Sequence, residues 1–112
     1  MNVKAQTLLW MAQRASAAVL ALCVVVHLAT MIYTVRGGLS AAEILGRTRG
    51  SYGWLAFYAL FVLAITVHVP IGLRAALGEW LGWRGAGRDW FLVLFSSVIG
   101  FMGMRAVIGV FL

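Results

Sequence analysis

Residues 15–35 read ASAAVLALCVVVHLATMIYTV, a stretch without a charged side chain that lies between Arg14 and Arg36. Two further apolar runs of comparable length follow at residues 52–74 and 90–112. A helix needs about 20 apolar residues to cross ~30 Å of hydrocarbon, where the backbone must satisfy its own hydrogen bonds. The chain is therefore predicted to be an all-α integral membrane protein with three transmembrane helices.

The composition favours a membrane environment for the whole chain. Of its 112 residues, 63% are hydrophobic and 11% are charged, whereas soluble domains have about 25% charged residues. The net charge of +6 comes from basic residues between the apolar runs, which favours contact with lipid headgroups over nucleic acid. Residues 1–112 are predicted to form a single transmembrane anchor domain.

The segments between the apolar runs carry local signals. Ser40 and Glu43 have the spacing of a capping box, which predicts a short surface helix at about residues 41–47. Residues 75–89 are predicted to be the loop that precedes the third helix.

Two features of the spans bear on their packing. Pro70 lies inside the second run, and because it has no backbone N–H, it leaves the carbonyl of Thr66 without its helical partner and is expected to bend the helix. Small residues three or four apart in the third run favour the close approach of another helix. They are Ser96, Ser97, Gly100, Gly103, Ala106 and Gly109.

Five basic residues lie on the N-terminal side of the membrane and four on the other side, which favours a cytoplasmic N-terminus. The N-terminal side holds Lys4, Arg14, Arg74, Arg84 and Arg88, and the opposite side holds Arg36, Arg47, Arg49 and Arg105. No signal peptide or mitochondrial presequence is recognisable, so the bacterial plasma (inner) membrane is the expected location.

The two histidines, His27 and His68, both fall inside predicted spans. A polar imidazole in hydrocarbon needs a partner, because burying it unpaired is unfavourable. One interpretation is a hydrogen bond to a neighbouring helix, and the other is ligation of a metal or a haem iron. Gly72, on the same helix face as His68, leaves room for a flat group or a close helix.

The depths of the two histidines favour separate sites. The first two spans run antiparallel, so His27 and His68 lie on opposite sides of the membrane midplane. At ~1.5 Å per residue, their depths differ by roughly 10 Å. Each histidine is therefore predicted to serve its own centre, with the opposite ligand coming from another chain.

Two arginines lie at the same membrane surface. Arg14, beside Gln13 and Ser16, begins the first apolar run, and Arg74 ends the second. Both are either anchors whose charges snorkel to the headgroups or parts of a polar pocket for a quinone head group or haem propionates. Arg105 lies near the far end of the third run. Its charge either snorkels to the headgroups or contacts a haem propionate.

The stretch HVPIGLR, residues 68–74, resembles the haem-ligating stretch of the cytochrome b membrane anchors of the succinate dehydrogenase and fumarate reductase family. The stretch RAS, residues 14–16, is similar to the Arg-x-Ser-Gly stretch at the quinone pocket of that family. The three-span layout agrees, and the resemblance covers nearly the whole chain.

The resemblance implies that His68 is an axial ligand of the haem nearer the cytoplasm. His27 fits the two-haem members, in which a first-helix histidine binds the haem nearer the outside. Helices 1 and 2 then contribute to a haem-binding four-helix bundle with a partner chain. The expected quinone-binding residues are Trp10, Gln13, Arg14 and Ser16. The expected residues of the haem propionates or pocket are Gly72, Arg74 and Arg105.

Three positions depart from the pattern of the family. Gln13 stands where some members have His before the Arg, Ala17 replaces the Gly after the Ser, and Ala75 follows Arg74 where some members have His. These departures concern the quinone pocket and the propionate contacts, and they leave His68 untouched.

The function implied by the resemblance is electron transfer between the iron–sulfur clusters of a soluble partner and membrane quinone through haem b. With one cysteine and no flavin-binding glycine motif, the chain holds neither clusters nor flavin. The dicarboxylate chemistry therefore belongs to an iron–sulfur subunit and a flavoprotein subunit. Two haems are expected per complex, each shared with a second anchor chain or a second copy of this chain.

Two other functions remain open from the sequence. One is a haem-free structural or quinone-binding anchor, and the other is an anchor for another respiratory dehydrogenase. A proton-coupled transporter is disfavoured, because Glu43, Glu79 and Asp89 all lie between the apolar runs.

Overall fold

A computed structural model of the chain describes residues 2–112. This part of the chain forms four helices, α1 (Val3–Gly37), α2 (Ala41–Thr48), α3 (Tyr52–Trp80) and α4 (Ala86–Phe111), and no strand. Helices α1, α3 and α4 are long and apolar enough to cross a membrane, and much of their apolar surface is exposed. The predicted all-α class with three candidate spans is confirmed.

Helix α1 is longer than the apolar run that predicted it. It begins at Val3, where the side chain of Asn2 accepts a 2.8 Å hydrogen bond from the N–H of Ala5, and not at residue 15. Hydropathy indicates only the stretch that lies in the hydrocarbon. A helix can continue beyond it through polar residues, because its N–H groups still donate to the carbonyls four residues earlier. Arg14 and Ser16 therefore lie inside α1 and not at its start.

The connection between α3 and α4 is shorter than the predicted loop at residues 75–89. Helix α3 continues to Trp80, and α4 begins at Ala86. Gly82 and Gly85 have φ angles of 65° and 101°, which glycine adopts without a steric penalty. The N–H of Trp83 also donates to the carbonyl of Leu77 at 3.0 Å, so a tight turn over residues 81–85 replaces the longer loop.

Helix α3 lies between α1 and α4. On its α1 side, Gln13 faces Gly72 and His27 faces Phe61. Because the earlier residue of α1 faces the later residue of α3, the two helices run antiparallel.

The small residues of α4 form only part of the contact with α3. A Cβ on Gly103 would lie 2.8 Å from Cγ1 of Val62, and a Cβ on Gly100 would lie 3.3 Å from Oγ1 of Thr66. At Gly109 a Cβ would meet nothing within 4 Å. The close approach therefore involves Gly100 and Gly103, because helices can come within this distance only where side chains are absent.

Helix α2 lies across one end of the bundle. Its first turn is capped by Ser40, whose hydroxyl accepts a 3.2 Å hydrogen bond from the N–H of Glu43. The hydroxyl of Thr48 donates to the carbonyl of Val110 on α4 at 2.8 Å, and Arg47 reaches α1. This end is called the α2 end, and the opposite end, with Gln13, Gly72 and the turn at 81–85, is called the N-terminal end.

Candidate functional site

His27 lies half-buried on α1 against aromatic side chains of α3. Its ring centroid is 6.0 Å from that of Tyr58 and 5.6 Å from that of Phe61, and both pairs are edge-to-face. Trp54 stacks in turn on Tyr58, with 5.7 Å between centroids. These aromatic contacts restrict the position of the imidazole between α1 and α3.

His68 lies half-buried on α3, one helical turn before Gly72. The absence of a side chain at Gly72 lets Gln13 of α1 come close, because a Cβ there would lie 3.3 Å from its Nε2. His68 and Gly72 share a helix face. The close approach of α1 to α3 at Gly72 is therefore one turn from His68.

Each histidine has a buried nitrogen without a partner. The Nδ1 atoms of His27 and His68 find no hydrogen-bond partner among residues 2–112. An unpaired buried polar atom costs about 1–3 kcal/mol, so Nδ1 does not help to hold either ring, and the exposed part of each half-buried imidazole is what a group outside this chain can contact. The residues therefore fit either interpretation of the sequence, a single imidazole ligand for a metal centre or a hydrogen bond to another chain.

The two histidines lie at different levels of the bundle. His27 faces Phe61, which is two helical turns from His68 on α3 and therefore roughly 10 Å away along the axis. Within the described residues, no three His, Cys, Asp or Glu side chains come together as ligands of one metal ion. The described residues therefore offer one imidazole at each of two levels.

A groove of about 260 Å³ opens between α1 and α3 at the N-terminal end. Its walls are Gln6, Leu9, Trp10, Gln13, Ile71, Gly72, Arg74 and Ala75. Apolar walls with a few polar groups are typical of sites for small organic molecules. Four residues expected at the quinone or pocket sites, Trp10, Gln13, Gly72 and Arg74, come together here.

The other two residues expected at the quinone site do not line this groove. Arg14 is exposed, and its guanidinium carbon lies 5.0 Å from the ring centroid of Trp10. Ser16 is buried, and its hydroxyl donates a 3.1 Å hydrogen bond to the carbonyl of Gln13. Arg14 therefore contacts the Trp10 ring, which lines the groove. The Ser16 hydroxyl is hydrogen-bonded to the backbone of α1.

Asp89 is a neighbour of the groove that the sequence did not single out. Its Oδ1 lies 3.4 Å from Nε of Arg74 and 3.1 Å from Nε of Arg88. A second groove of about 360 Å³, between α3 and α4, is lined by both Arg74 and Asp89. The sequence does show that Asp89 lies near the start of the third helix, where the helix dipole favours an acidic residue. The arginines that pair with Asp89 depend on the fold.

A further groove of about 290 Å³ lies at the α2 end. Its walls are His27, Thr30, Met31, Thr34, Val35, Leu39, Ile44, Arg47 and Tyr58. Arg105, expected near the haem propionates, is exposed on α4 and does not line this groove. The positive charge in this groove comes from Arg47.

Arg47 was missed because the sequence shows only a surface helix with mixed side chains. The signal for it is the spacing of Ile44, Arg47 and Thr48, which places all three on one face of α2. Ile44 and Arg47 line the groove of His27, and Thr48 is buried against α4. The orientation of α2 therefore decides which of its charges reaches the groove.

A family model for transmembrane subunits of succinate dehydrogenase/fumarate reductase matches residues 1–104. No curated protein and no solved structure gave a match. The matched residues include both histidines and all residues that line the grooves at the two ends. The match confirms the family that the sequence resemblance predicted. The chain therefore belongs to the family of succinate dehydrogenase/fumarate reductase transmembrane subunits, and it is a multi-pass membrane protein.

Proposed function

We propose that this chain is the cytochrome b anchor subunit of a succinate dehydrogenase/fumarate reductase type complex. It would pass electrons between the iron–sulfur clusters of a soluble partner and membrane quinone. The observation that carries the proposal is a half-buried histidine, partly open to a group outside this chain, at each of two levels of the bundle. Haem b, when bound at such residues, supplies a one-electron carrier.

His68 and His27 would each hold one haem through the imidazole, and the haem would supply the electron carrier. Tyr58 and Phe61 restrict the His27 ring by edge-to-face contacts, and Gly72, one turn after His68, lets Gln13 of α1 come close to α3. A second anchor chain or a second copy of this chain would supply the other protein ligand of each haem. Helices α1 and α3 then form one half of a four-helix bundle.

Quinone binds in the groove at the N-terminal end. Leu9 and Ile71 supply apolar walls, and the side-chain N–H groups of Trp10, Gln13 and Arg74 are donors for the carbonyl oxygens of a quinone. Asp89 holds the Arg74 guanidinium at the edge of this groove. The Gln13 amide lies against Gly72 of α3, and from there it would orient the quinone ring.

The soluble subunits dock on the membrane surface at the N-terminal end. The iron–sulfur subunit lies next to the quinone groove, and the flavoprotein subunit performs the dicarboxylate chemistry. In this arrangement the chain lies in a bacterial plasma membrane with its N-terminus in the cytoplasm, and it performs no covalent chemistry of its own.

The experiment that tests this function is a dithionite-reduced minus oxidised spectrum of the purified complex, with pyridine-haemochrome quantification. Wild type is compared with His27→Ala and His68→Ala, and Ser97→Ala serves as a control in an exposed part of α4. Partial loss of b-type haem in each histidine variant, with full haem in the control, supports the proposal. A wild-type complex without haem overturns it and leaves a haem-free quinone-binding or structural anchor.

A further inference from the structure

We propose that Arg47 of α2 binds the propionate carboxylates of the haem that is held by His27. This inference rests on the proposed function. It adds a residue that neither the sequence resemblance nor the family match assigns, and it gives the surface helix α2 a role in cofactor binding.

His27 and Arg47 line the same groove, although they come from different helices. The groove at the α2 end has a volume of about 290 Å³ and also includes Thr34 of α1 and Tyr58 of α3. A ligand in this groove therefore meets an imidazole and a guanidinium together. Haem carries both matching groups, an iron that imidazole ligates and carboxylates that arginine binds in bidentate fashion.

The guanidinium of Arg47 is held in place by α1. Its Nη1 donates a 2.9 Å hydrogen bond to the hydroxyl of Thr34, which is only 5% exposed. The same hydroxyl donates to the carbonyl of Thr30 at 2.9 Å, and the guanidinium carbon lies 5.4 Å from the ring centroid of Tyr33. Arginine has five N–H donors in a planar fork, so most of them remain for a ligand.

Arg47 has no carboxylate partner in the part of the chain that the structure describes. The ion pairs there join Asp89 to Arg74 and to Arg88. Glu43, on the same helix as Arg47, has its Oε2 3.9 Å from the position that a Cβ on Gly37 would occupy. A half-buried guanidinium is stabilised by an anion, and here the anion must come from outside the described residues.

A lipid phosphate is the rival anion for Arg47. An adjacent groove of about 460 Å³ also reaches Arg47, and it is lined mainly by apolar and aromatic side chains. The groove of His27 adds the imidazole and the hydroxyls of Thr34 and Tyr58, which do not line the adjacent groove. These groups match the polar edge of a haem better than an acyl chain, and we therefore favour the propionates.

The test is a redox titration of haem in purified complexes that each retain a single haem. Arg47→Gln is combined with His68→Ala, which leaves the His27 haem, and separately with His27→Ala, which leaves the other. Arg49→Gln is the matched control, because Arg49 is exposed and lies outside the groove. Arg47→Lys keeps the charge, and co-purification of the soluble subunits shows that each variant assembles.

Loss of the Arg47 charge is expected to lower the midpoint potential of the His27 haem, because a nearby positive charge favours the ferrous over the ferric state. Arg47→Lys is expected to restore much of the potential. In the His27→Ala background, Arg47→Gln is expected to change nothing. This pattern, together with weaker haem retention in the first background alone, supports the proposal.

Other outcomes overturn it in distinguishable ways. If wild type holds no haem, the proposed function fails and this inference fails with it. If the His68→Ala complex holds haem whose potential responds equally to Arg47→Gln and Arg49→Gln, the role of Arg47 is wrong while the proposed function stands. An unchanged potential with loss of co-purified phospholipid in Arg47→Gln assigns Arg47 to a lipid phosphate and also overturns the inference.

Discussion

The hydroxyl of Ser96 on α4 donates a 2.8 Å hydrogen bond to the backbone carbonyl of Thr66 on α3. This is the carbonyl that Pro70, four residues later, leaves without an N–H donor. Helix α3 nevertheless continues through Pro70 from Tyr52 to Trp80. Ser96 therefore supplies from a neighbouring helix the partner that α3 lacks, which is how membrane helices accommodate proline.

Ser96→Ala is expected to lower the free energy of unfolding by about 1 kcal/mol, since it leaves the Thr66 carbonyl unpaired. Unfolding in mixed detergent micelles with increasing SDS measures the change. The matched control is Ser97→Ala, because the hydroxyl of Ser97 donates within its own helix to the carbonyl of Val93. Equal effects of the two substitutions would show that the contact with Thr66 adds no stability.

Gly103→Ala is expected to weaken the packing of α4 on α3. The new Cβ would lie 2.8 Å and 3.0 Å from the two γ carbons of Val62, and overpacking of this kind costs about 1–3 kcal/mol. Gly109→Ala is the control, because nothing lies within 4 Å of its Cβ position. In the same SDS titration, adding Val62→Ala to Gly103→Ala should recover part of the lost free energy of unfolding. If the effects of the two substitutions simply add, the new Cβ does not contact Val62.

Gly72→Ala is expected to raise the quinone KM several-fold with little change in kcat, if the groove at the N-terminal end binds quinone. The added Cβ would lie 3.3 Å from Nε2 of Gln13, so the Gln13 amide would have to shift by a few tenths of an ångström. Steady-state kinetics with a soluble quinone analogue measures KM and kcat. Gly46→Ala, where a Cβ meets nothing within 4 Å, should leave both unchanged, and a matching effect there would argue against the groove.

Asp89→Asn is expected to destabilise the turn between α3 and α4 by about 1 kcal/mol. The carboxylate pairs with Arg74 and with Arg88, whose side chain is 8% exposed, but its own 51% exposure limits the effect through solvent screening. Thermal unfolding at low and high salt measures the difference, which should shrink as salt rises. Glu79→Gln makes the same charge change at an exposed position, and an equally large loss there would rule out the specific ion pairs.

The spans and the placement of the two histidines at two levels followed from local features of the sequence. Apolar runs of sufficient length must form helices in hydrocarbon, because the backbone has no other hydrogen-bond partners there. Counting residues along antiparallel helices then places His27 and His68 roughly 10 Å apart in depth. The contact between His27 and Phe61 agrees with that count.

The amino-acid sequence by itself determined the membrane class, the helical architecture and the family, because these depend on composition, run length and short motifs. Only the tertiary structure decided that α1 extends back to Val3 and that Arg47, not Arg105, lines the groove of His27. It also decided that Asp89 pairs with Arg74. Such choices depend on which faces of separate helices meet, and hydropathy along one chain carries no information about the rotation and register of a neighbouring helix.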